Sequence, residues 1–262
     1  MLPFNCAPWL TRNTSIAVLA AGLAGCSSQP PATDASCADI AYTVYDPAEP
    51  FNRGVFAFNR VVDDYALAPV ARGYRYSPDF FQTGVHNFVA NFGEPKVFIN
   101  DLLQGNPMRS ANTLGRFVLN TTVGVVGLID VSGMAGIPRH DADFGQTFGV
   151  WGIGNGPIVE LPLLGTSNSR DAVGRVLGFV VYPFGSNSDT VDTLATISTV
   201  GGFVDGRAEA LPLTDSLQKL PDYYSALRNV VAEHRAAYVA DGKQGLAQPT
   251  KPQCTGAPAD GF

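Results

Sequence analysis

Phe51, Val55, Phe58, Val62 and Tyr65 recur at steps of three and four residues, with Asn52, Arg53, Asn59, Arg60, Asp63 and Asp64 on the other faces. That period predicts an amphipathic helix. Asp46-Pro47-Ala48-Glu49 supplies its start, with an N-cap acceptor, Pro at the first helical position and Glu three residues after the cap. Pro69 limits it. A second helix starts at Ser77-Pro78-Asp79, carries Phe80, Phe81, Val85, Phe88, Val89 and Phe92, and is expected to stop at Gly93. A third, short one fits between Pro95 and Gly105. Asn106-Pro107 opens a fourth, with Met108, Ala111, Leu114 and Val118 on one side. Further helices fit 169–181, 188–200 and 221–240, the last with Tyr224, Leu227, Val231 and Tyr238 near one face. Strand signals are sparse: Ile158–Leu161, bounded by Pro157 and Pro162. The fold class is therefore mainly α. The wide apolar faces are expected, for most helices, to pack a core.

The ends differ from this body, which spans about 46–242. Residues 27–45 are rich in Ser, Pro, Ala and Thr and read as a tether; residues 243–262 read as a disordered tail. At the start, Arg12 precedes a short apolar run from Ile16 to Leu23 that ends in Leu23-Ala24-Gly25-Cys26. The run falls short of the ~20 apolar residues that span a bilayer. Its form is that of a bacterial lipobox. Residues 1–25 are then a signal peptide, removed before Cys26 is acylated as the mature N-terminus. Ser27 and Ser28 after the cysteine permit sorting to the outer membrane.

Composition changes the picture in one respect. Charged residues make up 15% of the chain while hydrophobic ones reach 45%, against ~25% charge in ordinary soluble domains. Two readings stay open: a well-packed globule with a thin polar surface, or a protein whose outer face lies partly in lipid. The net charge of −6 argues against nucleic acid as a partner and against a general electrostatic hold on anionic lipid. Outside the leader and the lipid site, Cys37 and Cys254 remain. In an oxidising compartment they form either one bridge or two unrelated thiols.

Two segments stand out. Thr122 to Ile137 holds four glycines and one charge, Asp130. It reads either as a buried hairpin or as an apolar loop that moves. In Asp143 to Pro157, the run Gly152-Ile153-Gly154-Asn155-Gly156 lacks the GxGxxG spacing and precedes an extended stretch, so it reads as a turn between a short helix and a strand. Signals for catalysis are weak. There is no GxSxG elbow, HExxH or CxxC. Arg139-His140-Asp141-Ala142-Asp143 mixes His and carboxylates but reads as a solvated loop rather than a metal site. His86 and His234 have no neighbour in sequence that suggests acid–base work.

The chain resembles the MlaA family of lipoproteins, also called VacJ. The resemblance rests on Asp46-Pro47 through Arg53, Phe58-Asn59, Pro69-Val70-Ala71, Asn87-Phe88, Asn91-Phe92, Glu94-Pro95 and Leu103-Gln104-Gly105. It continues through Arg116-Phe117, Asn120 to Gly124, Gly127 to Val131, Asp143 to Thr147, Gly152 to Pro157, Leu161-Pro162, Gly165 and Arg170-Asp171. Arg207-Ala208-Glu209 and Asp222 to Arg228 match more loosely. Phe148 and Ile158 depart from the family's more usual Leu and Tyr and stay apolar.

The resemblance implies a ring of amphipathic helices around a central channel, lying in the outer membrane and facing the periplasm. It implies removal of mislocalised phospholipids from the outer leaflet, with no cofactor and no catalysis. Expected partners are phospholipid, a trimeric outer-membrane porin and a soluble periplasmic, MlaC-like carrier. With it in view, Gly124 and Gly127 become candidate flexible points of a gate and Asp130 its polar stop. Asn87, Asn91, Asn120 and Thr121 become candidate lining for a headgroup path, the alternative being hydrogen bonds within the ring. Two other readings are a structural lipoprotein that binds a porin without moving lipid, and a lipid-modifying enzyme.

Overall fold

Residues 44–181 and 188–245 are described in the computed structural model, all within the unit Ala32–Phe262. Cys26, Cys37 and Cys254, with the leader, most of the tether and most of the tail, lie outside the described residues. The chain is mainly α. In order come α1 (Glu49–Val62), a π-helical turn (Asp63–Leu67), α2 (Ala68–Tyr74), α3 (Asp79–Leu103), α4 (Pro107–Thr122) and α5 (Val131–Met134). Then follow α6 (Phe144–Val150), β1 (Ile158–Leu161), β2 (Gly165–Asn168), α7 (Ser169–Val180), α8 (Asp189–Leu217) and α9 (Tyr223–Gln244). β1 and β2 are antiparallel, with Ile158 opposite Asn168 and Leu161 opposite Gly165.

Prolines and glycines punctuate less than their sequence positions suggest. The first helix does not end at Pro69: one π turn absorbs the extra residue, and helix resumes through α2. The two helices expected between Ser77 and Gly105 are one 25-residue helix running through Gly93 and Pro95. Pro95 removes one backbone hydrogen bond. The buried positions Asn91, Glu94, Val97 and Asp101 nevertheless continue on one face across it, and α4 packs along that face. Tertiary packing has overridden the local breaker. In the same way α8 runs on past 200 through Gly201, Gly202 and Pro212. At the front, Ala48 rather than Asp46 is the N-cap of α1. Asp46 instead accepts bonds from the Asn52 amide at 2.8 Å and Arg228 at 2.9 Å.

The faces are reversed relative to expectation. On α1, Phe51, Phe58 and Tyr65 beyond it are exposed, while Asn52 is buried. The Asn52 amide donates to the Ile158 carbonyl and its oxygen accepts from Glu160 N, both at 3.1 Å. One turn-pair on, Asn59 donates to the Leu161 carbonyl at 2.9 Å and accepts from Leu163 N at 2.7 Å. Two amide side chains thus dock β1 on the polar face of the helix. On α4, Met108, Leu114 and Val118 are exposed, and Arg109, Thr113, Arg116 and Asn120 form the buried stripe. Among the described residues, 22 polar or charged side chains are buried against 10 hydrophobic ones, and 31 large hydrophobics are exposed. The apolar faces therefore do not pack a core. Among the described residues, the buried apolar cluster is Ala68, Ala71, Ala208 and Leu211, where α2 meets α8.

Packing passes from α4 to α3, α8, α2, the π turn, α1 and β1, then through β2, α7 and α6 back to α3. This closed circuit is the helical ring that the family resemblance implied. Arginines stitch it: Arg207 forks onto Asp63 at 2.6 and 2.7 Å, Arg53 onto Asp222 at 3.0 and 2.6 Å, and Arg235 reaches both Asp143 and Asp171. No helix among the described residues is long and apolar enough to cross a membrane.

At the contact of α6 and α7, Gly174 sits against the Gly145 backbone, and a Cβ there would collide with Gly145 N. Gly178, one turn on, has nothing within 4 Å of where its Cβ would be. Gly174→Ala should lower stability by roughly 1–3 kcal/mol, as overpacking does. Gly178→Ala should be neutral or raise it by up to about 1 kcal/mol through helix propensity. Thermal unfolding of the two variants checks the pair.

Candidate functional site

The end of α4 feeds directly into the glycine-rich segment. Thr122 closes the helix, and a coil of tight turns carries the chain to Asp130, which caps α5 by accepting from Gly133 N at 2.9 Å. The segment folds back on its helix: Gly127 N donates to Asn120 O at 2.8 Å and Ile129 N to Gly124 O at 2.9 Å. Such closeness requires glycine. A Cβ on Gly124 would strike the Ile129 and Asn120 carbonyls. One on Gly127, whose φ is +88°, would come within 2.5–2.7 Å of the Asn91 side chain.

Between these glycines the backbone is strained. Val125 and Val126 sit at φ 54° and 57°, in the left-handed region. For L-residues that region costs about 1–2 kcal/mol each, and β-branching makes it less favourable still. Both valines are exposed, as are Leu128 and Ile129. The segment is thus an apolar tip on a tightly held base.

The base is polar and buried. Arg116 donates to Glu94 at 3.1 Å, to Asp130 at 3.0 Å and to the Ile137 carbonyl at 2.7 Å, so one guanidinium ties α3, the cap of α5 and the far end of the loop. Asn120 donates to Asp130 at 2.9 Å and accepts from Ser132 N at 2.9 Å. Asn91 donates to Thr121 Oγ1 at 2.9 Å, and Asn87 to the Leu128 carbonyl at 3.2 Å. The four candidate lining residues are therefore brought together at the base of the loop, Asn87 and Asn91 from α3 and Asn120 and Thr121 from the end of α4. Asn91 and Asn120 are buried and bonded inside the base, and Asn87 and Thr121 are half-buried beside it.

Burial pushes the Asp130 carboxyl up, but Gly133 N–H, the Asn120 amide and Arg116 outweigh it and hold the group below the usual range. Burial pushes Glu94 up, and Arg116 only partly offsets it. Fully ionised, the pair of carboxylates would share one guanidinium.

The 139–143 stretch is not a solvated loop. His140 is buried with Nε2 2.8 Å from Asp101 Oδ2, and Thr113 donates to the same oxygen at 2.8 Å. Asp143 caps α6 by accepting from Gln146 N and forks with Arg235. The turn before β1 is as expected, with Gly152 and Gly156 at φ 88° and 66°. What the residue pattern did not expose is Arg116 as the hub. Its sequence signals are its place in the Arg116-Phe117 pair of the family resemblance and four residues before Asn120, on the stripe opposite the apolar side of α4; neither names its partners.

Residues 44–238 match the family described as MlaA lipoprotein. The chain is 34% identical over 209 residues to the intermembrane phospholipid transport system lipoprotein MlaA of Escherichia coli (strain K12), covering 75% of this chain and 79% of that one. It is 32% identical over 203 residues to the protein of the same description in Haemophilus influenzae, covering 76% and 80%. A protein of Rickettsia felis is 36% identical over 202 residues, covering 75% and 78%. A solved structure from work on the structural basis for maintenance of bacterial outer membrane lipid asymmetry superposes with a TM-score of 0.64 at 34% identity, covering 74% of this chain and 98% of that one.

Arg116→Met leaves Glu94 and Asp130 without their shared cation. Removing one partner of a buried pair costs about 3–5 kcal/mol, and hydrogen exchange across 124–137 should accelerate more than elsewhere. Because the Asp130 pKa is lowered on folding, its contribution is present above the ordinary Asp value and lost as pH falls below it. Exchange protection of Gly133 N–H should therefore hold at pH 5 and drop below about pH 4. Asp130→Asn should flatten that acid limb.

Proposed function

Because the chain belongs to the MlaA lipoprotein family, we propose that it moves phospholipid out of the outer leaflet of the outer membrane without chemistry of its own. The observation that carries this reading is the reversed polarity of the helices: Phe51, Phe58, Tyr65, Phe80 and Phe81 face outward, while Asn52, Glu94, Arg116 and Asp171 lie within. An exposed apolar surface on this scale favours acyl chains over water. The inward polar groups suit a zwitterionic or anionic headgroup that must travel while its tails remain in apolar surroundings. Acylated Cys26 would hold the protein at the membrane, a porin would seat it, and a soluble carrier would take the lipid onward.

In this proposal the 124–137 loop is the gate. Its apolar tip enters or leaves the lipid path, and its base at Asp130 and Arg116 stays fixed. The strain at Val125 and Val126 supports it, since strained backbone raises the energy of one loop state and narrows the gap to another. Gly124 and Gly127 let the tip fold tightly onto α4 and serve as its pivots. A porin-bound scaffold needs no apolar tip and no strained backbone.

Outer-leaflet phospholipid, counted in a strain lacking the gene, tests both parts. Deletion should raise it, and wild-type protein should restore the low level. Asn87→Cys with Leu128→Cys, in a background where Cys37 and Cys254 are Ser, lets a short reducible crosslinker fix the tip to α3, the side where Asn87 already meets the Leu128 carbonyl. The crosslinked protein should fail and regain function on reduction. If the crosslinked protein still clears the leaflet, the moving gate falls. If deletion leaves the leaflet unchanged, lipid removal falls and the scaffold reading replaces it.

A further inference from the structure

A cavity of about 560 Å³ opens between the end of α2, the first half of α3 and α8. Three metal-ligating groups meet at its wall: His86 from α3, and Asp205 and Glu209 one turn apart on α8. His86 Nδ1 lies 2.9 Å from Asp205 Oδ2 and 3.1 Å from Glu209 Oε1, and one ligand atom from each residue falls within 4.8 Å of the other two. Nothing near His86 in sequence suggested a partner; both carboxylates come from more than a hundred residues away.

A hydrogen bond explains only part of this arrangement. Nδ1 carries at most one proton, yet two carboxylate oxygens converge on it. One of them is therefore left without the ring's donor. A cation at the centre satisfies all three groups at once. The spacing suits zinc: with bonds of about 2.0–2.1 Å, neighbouring ligand atoms in a tetrahedral site lie about 3.3 Å apart. One imidazole with two carboxylates also suits zinc better than magnesium or calcium, which favour all-oxygen shells. Asp205 is held for the role, because Tyr74 donates to its other oxygen at 3.0 Å.

We propose that His86, Asp205 and Glu209 bind a zinc ion, with the fourth position open to the cavity. Arg139 sets a condition. Its Nη1 lies 3.2 Å from His86 Nε2, so the free ring accepts there and carries its proton on Nδ1. When zinc takes Nδ1, the ring proton moves to Nε2 and faces the guanidinium. Arg139 must then turn toward Asp141, whose carboxylate is already 3.4 Å from its Nη2. Arg139 thus weakens the site that His86 offers. The bound ion would clamp α3 to α8 beside the small apolar cluster of α2 and α8.

Titration calorimetry with zinc chloride tests this on the full, untagged, acylated chain in detergent, with its thiols alkylated and magnesium chloride as the comparison ion. One zinc per chain is expected, with no saturable magnesium binding and a rise in unfolding temperature. His86→Ala and Asp205→Asn should each weaken zinc binding by tenfold or more. Glu209→Gln should do the same and, being at the exposed end of the cluster, leave the zinc-free unfolding temperature unchanged. Arg139→Gln gives Nε2–H an acceptor and should tighten binding by about tenfold, the scale of an outer-shell partner. Absence of saturable zinc binding, or binding that His86→Ala and Glu209→Gln both leave intact, overturns the proposal.

Discussion

Buried guanidinium–carboxylate pairs do in this chain what an apolar core does in most. Arg116 with Glu94 and Asp130 ties neighbouring segments, while Arg235 with Asp143 and Asp171, Arg207 with Asp63 and Arg228 with Asp46 join segments 64 to 182 residues apart in sequence. In water such pairs add little, because desolvation cancels much of the Coulombic gain. Their value depends on the alternative open to each group. Where the outside of a helix is hydrocarbon, an unpaired guanidinium or amide has no water to return to. Apolar side chains then gain little by leaving the lipid, and polar contacts and close packing decide which helices meet. On the proposed placement in lipid, the reversed faces of α1 and α4 and the arginine pairs follow from that one constraint.

The constraint also explains where the glycines matter. Gly145 against Gly174 lets α6 and α7 approach backbone to backbone, which places the Asp143 cap and Asp171 under the same guanidinium. Gly124 and Gly127 let the apolar tip fold onto α4, within reach of Asn91 and Asn120. In each case the small residue serves the polar pairing beside it. The two strained valines stand between glycines that allow no Cβ, so the tip has few ways to relax without leaving its base.

Element type was largely legible in the sequence, and element direction was not. Asn106-Pro107 marks the start of α4 and Pro157 the start of β1 because local chemistry sets those boundaries. The strand Ile158–Leu161 shows in the sequence, but its partner Gly165–Asn168 carries no alternation to reveal it. Gly93 and Pro95 misled because packing against α4 carries the helix through them. Helix faces are less legible than helix positions. Periodicity shows that Phe51, Phe58 and Tyr65 share a side, but the pattern is the same whether that side meets a core or a bilayer. The low charge content left both readings open, while Asn52 and Asn59 held the detail, being amides at the spacing that docks a strand.

At the loop, Asp130 was legible as the only charge in an apolar stretch, whereas its partner was not. Arg116 reads as one more polar residue on α4 until α3 brings Glu94 beside it. That arrangement gives the loop two mechanically distinct parts. The base is held by charged and amide bonds at 3.1 Å or less, and the tip chiefly by backbone turns and one amide contact from Asn87. An element built to move needs such unequal attachment, because a loop loosely held throughout would drift and one tightly held throughout would stay shut. The contrast between base and tip is thus a stronger argument for a gate than the glycines are, since glycines that tolerate no Cβ bespeak close packing before they bespeak motion.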